Sequence, residues 1–233
     1  MSNQNIDTTF NGLRVAITGG TSGLGLALVE ELTRRGARVA FVARKRDGVD
    51  RVVRDHPGVY GIVGDVSKRE DIHPICVQIL GALGGIDILI SNASDLGPSP
   101  LALLADTECE DLERAFATNV IGPFRLARTL LGSLAASARE GRGAVVVNVS
   151  SDAALQPYPL WGAYGASKAA LHHLSRIWNE ELAPTGIRIL SIDPGDMDTP
   201  LHAAAVPDAD RSTLKRPETV ARELAGTIAA VLE

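Results

Sequence analysis

The chain reads as an α/β protein built on a doubly wound parallel sheet with helices on both faces. Short β-branched runs alternate with helix-length amphipathic segments along its 233 residues. Connections long enough to hold a helix imply parallel neighbouring strands. The hydrophobic content of 45% is mainly Ala, Val, Leu and Ile, with only 4% aromatic residues. That composition suits strands buried on both sides.

Residues 1–12 read as an N-terminal tail and 13–233 as one domain, because no linker, repeat or low-complexity stretch divides the chain. Arg14 to Thr18 is a buried-strand pattern that breaks in the glycines from Gly19 to Gly25. A helix follows, with Leu24, Leu28 and Leu32 on one stripe, and stops at Gly36. Arg38 to Ala43 and Val59 to Val63 read as the second and third strands. Residues 68–83 set Ile72, Ile75, Cys76, Ile79, Leu80 and Leu83 at helical spacing, which gives Cys76 a packing role. Ile86 to Ser91 is the fourth strand. Thr107 with Glu110 carries a capping-box signature for a long helix that runs through Asn119 to about Ala138. Cys109 falls in its first turn and, with no His or second Cys nearby, is read as structural. Gly143 to Val149 is the fifth strand, Gly162 to Leu182 a helix, and Ile187 to Ile192 the sixth strand, broken by Pro194-Gly195. Pro217 opens a last helix carrying Val220, Leu224, Ile228 and Val231.

Several classes of function lose support at this level. A net charge of −5 offers no basic stripe for nucleic acid. No apolar run is long enough to span a bilayer, and the polar start MSNQNIDTTF has no secretory core, so a cytoplasmic protein is expected. Two cysteines make neither a disulfide framework nor a thiolate metal site. His172 and His173, adjacent on a helix, face different ways, so no metal site is expected. Neither a Gly-x-Ser-x-Gly elbow nor a His-Glu-x-x-His motif occurs, which leaves hydrolases unsupported.

Three stretches carry chemistry. Gly19-x-x-x-Gly23-x-Gly25 follows a strand and opens a helix, where glycines let backbone N–H groups approach a pyrophosphate. The spacing departs from Gly-x-Gly-x-x-Gly, and a plain strand–helix turn is the alternative. After the second strand stands Arg44, whose guanidinium forks onto a phosphate, and no carboxylate appears until Asp47. NADP(H) is therefore expected ahead of NAD(H); Lys45 and Arg46 are read as solvated loop charges. Finally, Tyr164 and Lys168 are four apart on one helix face, where an ammonium favours the phenolate. Taken alone, that spacing arises by chance too readily to define a site.

Together these residues resemble the short-chain dehydrogenases/reductases, in their short single-domain branch with a Rossmann-type sheet. Thr18, Gly19, Thr21, Ser22, Gly23, Leu24 and Gly25 resemble the family's cofactor loop, and Asp65-Val66 its adenine-side dipeptide. Asn92-Ala93 is similar to the start of the motif after the fourth strand. Asn119 matches the family's helix asparagine, and Ser151 lies thirteen residues before Tyr164, with Lys168 completing the tetrad. Pro194, Gly195 and Thr199 resemble the segment along the nicotinamide. The resemblance implies Tyr164 as general acid and Ser151 as hydrogen-bond donor to the substrate oxygen, with Ser150 as its runner-up. It further implies that Lys168 lowers the Tyr164 pKa and binds the ribose, and that Asn119 holds a relay water.

Two departures are expected to matter. Ser94-Asp95 stand where the family has a small residue and Gly, so Asp95 faces either the active-site rim or solvent. The family normally continues to a seventh strand, whereas this sequence stops at Glu233, so either the sheet has six strands or the tail lies outside this sequence. Leu155, Tyr158, Leu160, Trp161, Met197, Leu201 and His202 are the residues expected around the substrate, with a surface position the commoner outcome for His202. The reading is an NADPH-preferring carbonyl reductase or alcohol dehydrogenase acting on a small or aromatic ketone or aldehyde. A catalytically silent NADP(H)-binding regulator, or an imine reductase or lyase on the same scaffold, are the alternatives. By resemblance the chain forms a homodimer or homotetramer through its two long helices.

Overall fold

The computed structural model describes residues 9–232. Its strands are β1 (Arg14–Thr18), β2 (Arg38–Ala43), β3 (Tyr60–Val63), β4 (Ile88–Ser91), β5 (Val145–Val149) and β6 (Arg188–Ile192). They form one six-stranded sheet in the order β3-β2-β1-β4-β5-β6, with every neighbouring pair parallel. The helices are α1 (Gly23–Arg34), α2 (Arg46–Asp55), α3 (Arg69–Leu83), α4 (Cys109–Phe116), α5 (Gly122–Arg139), α6 (Gly162–Leu182), α7 (Pro200–Ala205) and α8 (Pro217–Leu232).

Alternation along each strand divides the core in two. Val15 and Ile17 of β1 face α1, α2 and α8, packing with Leu28, Leu32, Val49, Val52, Leu224 and Ile228. Ala16 between them faces α3 and α5, packing with Ile75, Ile79, Leu83, Leu126 and Leu130. All of β4 and β5 is buried, so each large aliphatic there contributes about 1.5–3 kcal/mol of burial. Because β1 lies between β2 and β4, the chain reverses its winding direction at that pair. Such a switch point opens a crevice at the carboxyl ends of the strands, where ligands bind.

The structure corrects four sequence expectations. Residues 9–12 are not tail: Phe10 is fully buried in the core, under the Arg35 guanidinium, and the Gly12 amide donates to the Gly36 carbonyl. A lone aromatic in a polar stretch has no periodicity to announce it; residues 1–8 of the expected tail lie outside the described residues. Helix α2 was not expected because its ten residues bury only Val49 and Val52. Helix α7 was too short to show a period. The capping box does not form: Glu108 takes the N-cap position of α4, and Thr107 donates instead to the Leu103 carbonyl. The long helix does run on to Arg139, through a π-helical turn at Ala117–Ile121 that contains Asn119.

Candidate active site

The glycine loop closes the crevice between β1 and β4. Gly19 has φ +74°, a left-handed backbone open to glycine. At Gly25 a Cβ would overlap the Gly19 carbonyl oxygen and the Asn92 amide, so α1 can pack this closely only without a side chain there. Asn92 in turn donates to the Thr18 carbonyl at 2.9 Å, and Thr18 Oγ1 accepts from the amides of Asn92 and Ala93, each at 3.0 Å. Thr18 is buried and Gly25 packed beneath the loop, so these two expected cofactor contacts brace the loop from behind. Gly19, Thr21, Ser22, Gly23 and Leu24 line the cavity itself, as do Asn92 and Ala93.

That cavity is elongated across the sheet's carboxyl edge and has a volume of about 1160 Å³. Its far end is lined by Arg44, Lys45, Asp47, Arg51, Asp65 and Val66. Lys45, expected as a solvated charge, faces the cavity from the start of α2, whereas Arg46 does not line it. Arg51 was missed because its helix was missed; its guanidinium donates to the Thr21 carbonyl at 2.9 Å and so stands beside the glycine loop. Asp65 is engaged locally, accepting from the Ser67 hydroxyl at 2.7 Å and the Ser67 amide at 3.0 Å.

Three residues of the tetrad, Ser151, Tyr164 and Lys168, line the cavity. β5 ends at Val149, and Ser150 and Ser151 follow into the cavity wall. Helix α6 presents Tyr164 and Lys168 to the same wall. Lys168 is buried, donates to the Val149 carbonyl at 2.7 Å and sits 5.4 Å from the centre of the Tyr164 ring. Burial lowers its pKa to about 8. Burial likewise pushes Tyr164 up to about 12, with Asp193 and Asp152 adding to the rise, while hydroxyls from Ser151 and Ser94 favour the phenolate. The sequence expectation of a lowered Tyr164 pKa therefore fails in the protein alone: desolvation of the phenol outweighs a lysine that points at a backbone carbonyl.

Asn119 lies behind this wall with every side-chain valence engaged. Its Oδ1 accepts from the Asp95 amide at 2.8 Å and the Ser94 hydroxyl at 3.2 Å. Its Nδ2 donates to the Asp95 carbonyl and to Ser167 Oγ, each at 2.8 Å. Ser167 passes the link to the Tyr164 carbonyl at 2.7 Å. This side chain clamps the loop after β4 to the helix that carries Tyr164. A π-helical turn at such a position is common at functional sites.

Around the substrate end, Tyr158, Trp161, Met197, Leu201 and His202 line the cavity. Trp161 packs edge-on to Tyr164, with ring centres 5.6 Å apart. Leu155 does not belong to this set: it is 72% exposed and points to solvent, because the 3-10 turn Asp152–Ala154 carries it outward. Leu160 is also outside the cavity. Asp95 is turned away; its carboxylate accepts from the Gly97 amide at 2.8 Å and pairs with Arg114 at 3.4 Å. Neither rim nor solvent claims it, since the partner Arg114 lies nineteen residues on and no spacing rule links the two. Pro194, Gly195 and Thr199 line the cavity as expected. Thr199 caps α7 by accepting from the His202 amide at 3.2 Å.

An orphan remains in the wall. Ser150 is 5% exposed, lines the cavity and has no hydrogen-bond partner for its Oγ. A buried unpaired hydroxyl costs roughly 1–3 kcal/mol, which a bound polar group relieves. With the side-chain-free cradle at Gly19 and Gly25 and three cations at one end, the cavity's lining fits a dinucleotide.

Comparison with known proteins agrees. The profile described as short chain dehydrogenase matches residues 14–210. Glucose 1-dehydrogenase of Gluconobacter oxydans is 32% identical over 87% of this chain and 76% of its own length. L-xylulose reductase of Bos taurus is 30% identical over 89% of this chain and 81% of its own. Among solved structures, a 3-ketoacyl-(acyl-carrier-protein) reductase from Brucella melitensis, complexed with NADH, superimposes with a TM-score of 0.86 at 28% identity, covering 93% of this chain and 90% of that one. The chain belongs to the short-chain dehydrogenase family of oxidoreductases.

Proposed function

We propose that the protein is an NADPH-preferring carbonyl reductase or alcohol dehydrogenase for a small or aromatic ketone or aldehyde. The observation that carries the reading is the convergence of Tyr164, Ser151 and Lys168 on one cavity wall beside the glycine loop. When bound, the nicotinamide is the hydride donor or acceptor. In carbonyl reduction Tyr164 gives its hydroxyl proton to the carbonyl oxygen; in alcohol oxidation the phenolate takes it back. A phenol held near 12 stays protonated, ready as an acid, until charge develops on the substrate oxygen. Ser151 turns its hydroxyl from Asp152 Oδ1, 3.0 Å away, to that oxygen as it becomes negative. Lys168 holds the ribose hydroxyls and, when charged, favours the phenolate. Asn119 keeps α6 at its distance from the loop after β4.

The preference for the 2′-phosphorylated cofactor rests on Arg44, Lys45 and Arg51, which give the far end more positive than negative charge despite Asp47 and Asp65. Exposed Leu104, Leu112, Ile121 and Ile177 on the side of α4 to α6 support self-association as a homodimer or homotetramer, which light scattering checks. A screen of NADPH oxidation over a panel of carbonyl compounds tests the activity, with fluorescence titration of NADPH and NADH on the wild type and Arg44→Ala. The expected result is turnover of at least one ketone or aldehyde and a tighter Kd for NADPH that Arg44→Ala erodes. A folded protein that binds neither nucleotide overturns the reading.

A further inference from the structure

The two ends of the cavity carry opposite charge, and the substrate end carries more of it than hydride transfer requires. Asp152, Asp193 and Asp196 line it, and among the described residues Lys168 is the only lysine or arginine on that part of the wall. Nearby carboxylates outside the cavity are neutralised: Asp95 and Asp111 pair with Arg114, and Asp198 pairs with Arg211 at 2.7 Å. The three on the wall have no such partner. Asp152 is held in place by hydroxyls, from Tyr158 at 2.7 Å and Ser151 at 3.0 Å. Asp193 accepts from the Gly195 amide at 2.9 Å through one oxygen, which leaves the other open. Asp196 is 79% exposed on its side chain, and its nearest basic group is His202 Nε2 at 3.9 Å. All three lie close enough to Tyr158 to hold its hydroxyl proton on more tightly.

Trp161, Met197, Leu201 and Leu214 add apolar side chains to this end of the wall. An occupant of this end therefore meets the unpaired Ser150 hydroxyl, Ser151 and Tyr164, apolar side chains, and negative charge. On the oxidoreductase reading above, we infer that the substrate is a ketone or aldehyde, or the matching alcohol, that carries an ammonium group one apolar spacer away from the reacting carbon. Asp196 and Asp193 receive that ammonium, while carboxylates, phosphates and other anionic carbonyl compounds are turned away at the mouth. Charge placed this way acts on encounter as well as on binding, and it weakens with salt.

The test uses three ketones of one shape: acetophenone bearing a para-aminomethyl, a para-hydroxymethyl or a para-carboxylate group. With NADPH at low ionic strength, kcat/KM is expected to fall from cation to neutral to anion by on the order of tenfold per step, and the spread to shrink in half-molar salt. Asp196→Lys is expected to raise kcat/KM for the carboxylate relative to the neutral ketone, a gain that misfolding cannot produce. Calorimetric titration of the protein with benzylammonium and with benzoate gives a readout without turnover, the ammonium binding more tightly. Turnover of the neutral ketone with no dependence on charge overturns this inference and leaves the oxidoreductase reading standing. Tighter binding of benzylammonium with no turnover of any ketone upholds the charge selection and overturns the assigned reaction.

Discussion

At the amino-terminal edge of the sheet, Asp87 is completely buried, yet every oxygen is engaged. Arg14 reaches it through Nε and at 2.6 Å through a terminal nitrogen, Arg142 at 3.2 Å, Ser137 through its hydroxyl, and the Arg14 amide at 2.8 Å. At the carboxyl edge, Lys168 is as deeply buried but has a single carbonyl for its three donors, and Ser150 beside it has nothing. The first cluster is a satisfied ion network and the second an unfinished one. Burial costs both, but only at the bottom of the sheet does the protein itself supply the compensation. An edge that stays unfinished is one shaped for something that arrives from outside.

The contrast predicts separable losses. Tyr164→Phe should lower kcat by about 10²–10⁴-fold while the melting temperature holds, because it removes one hydroxyl from the unfinished edge. A variant that keeps its activity would break the assignment of that edge. Asp87→Asn should do the reverse, costing about 3–5 kcal/mol in denaturant unfolding because Arg14 and Arg142 lose their counter-charge, with kcat per folded molecule unchanged. Burial alone would raise the Asp87 pKa, but the hydrogen bonds from Arg14, Arg142 and Ser137 hold it at about 2. Its stabilisation is therefore complete above pH 4 and lost as the pH falls toward 2, which acid titration of wild type against Asp87→Asn checks.

Lys168→Met sharpens the comparison from the other side. A lysine lowered to about 8 favours the unfolded state, which binds the extra proton, so wild-type stability rises with pH between about 8 and 10.5. Removing it should stabilise the protein by up to about 3 kcal/mol at pH 7, the gain shrinking across that window, while activity is lost. Smallest is Leu160→Gly. Leu160 holds φ +75° at the rim, so glycine there should add about 1 kcal/mol of stability, read as a rise in melting temperature.

The parallel sheet, its six strands and most of its helices were legible because aliphatic runs and 3.6-residue stripes recur with little interruption. Where those signals thinned, the reading thinned too: α2 is charged on nearly every turn, and Phe10 stands alone. The tetrad was legible as a spacing, since Ser151, Tyr164 and Lys168 are held by one helix and the strand end beside it. What was not legible is what a side chain does once it has a partner from far along the chain. Asp95 finds Arg114, Asn119 fills all four valences from two distant segments, and Leu155 turns outward on a 3-10 turn. The charge partition of the cavity depends on Arg51, Asp152, Asp193 and Asp196 meeting around one space, which no local pattern encodes.

The contact at Gly25 has a practical consequence for anyone altering this protein. The loop's grip is moulded in backbone, with the Gly19 carbonyl and the Asn92 amide leaving no space for even a methyl group. Arg44, Lys45 and Arg51 lie on α2 and the strand end before it, with Arg51 touching the loop through the Thr21 carbonyl. On the proposed reading, the fixed socket and the basic side chains that choose between nucleotides are different residues. Attempts to retune cofactor choice belong in the second part, because substitutions in the first would forfeit binding of either nucleotide.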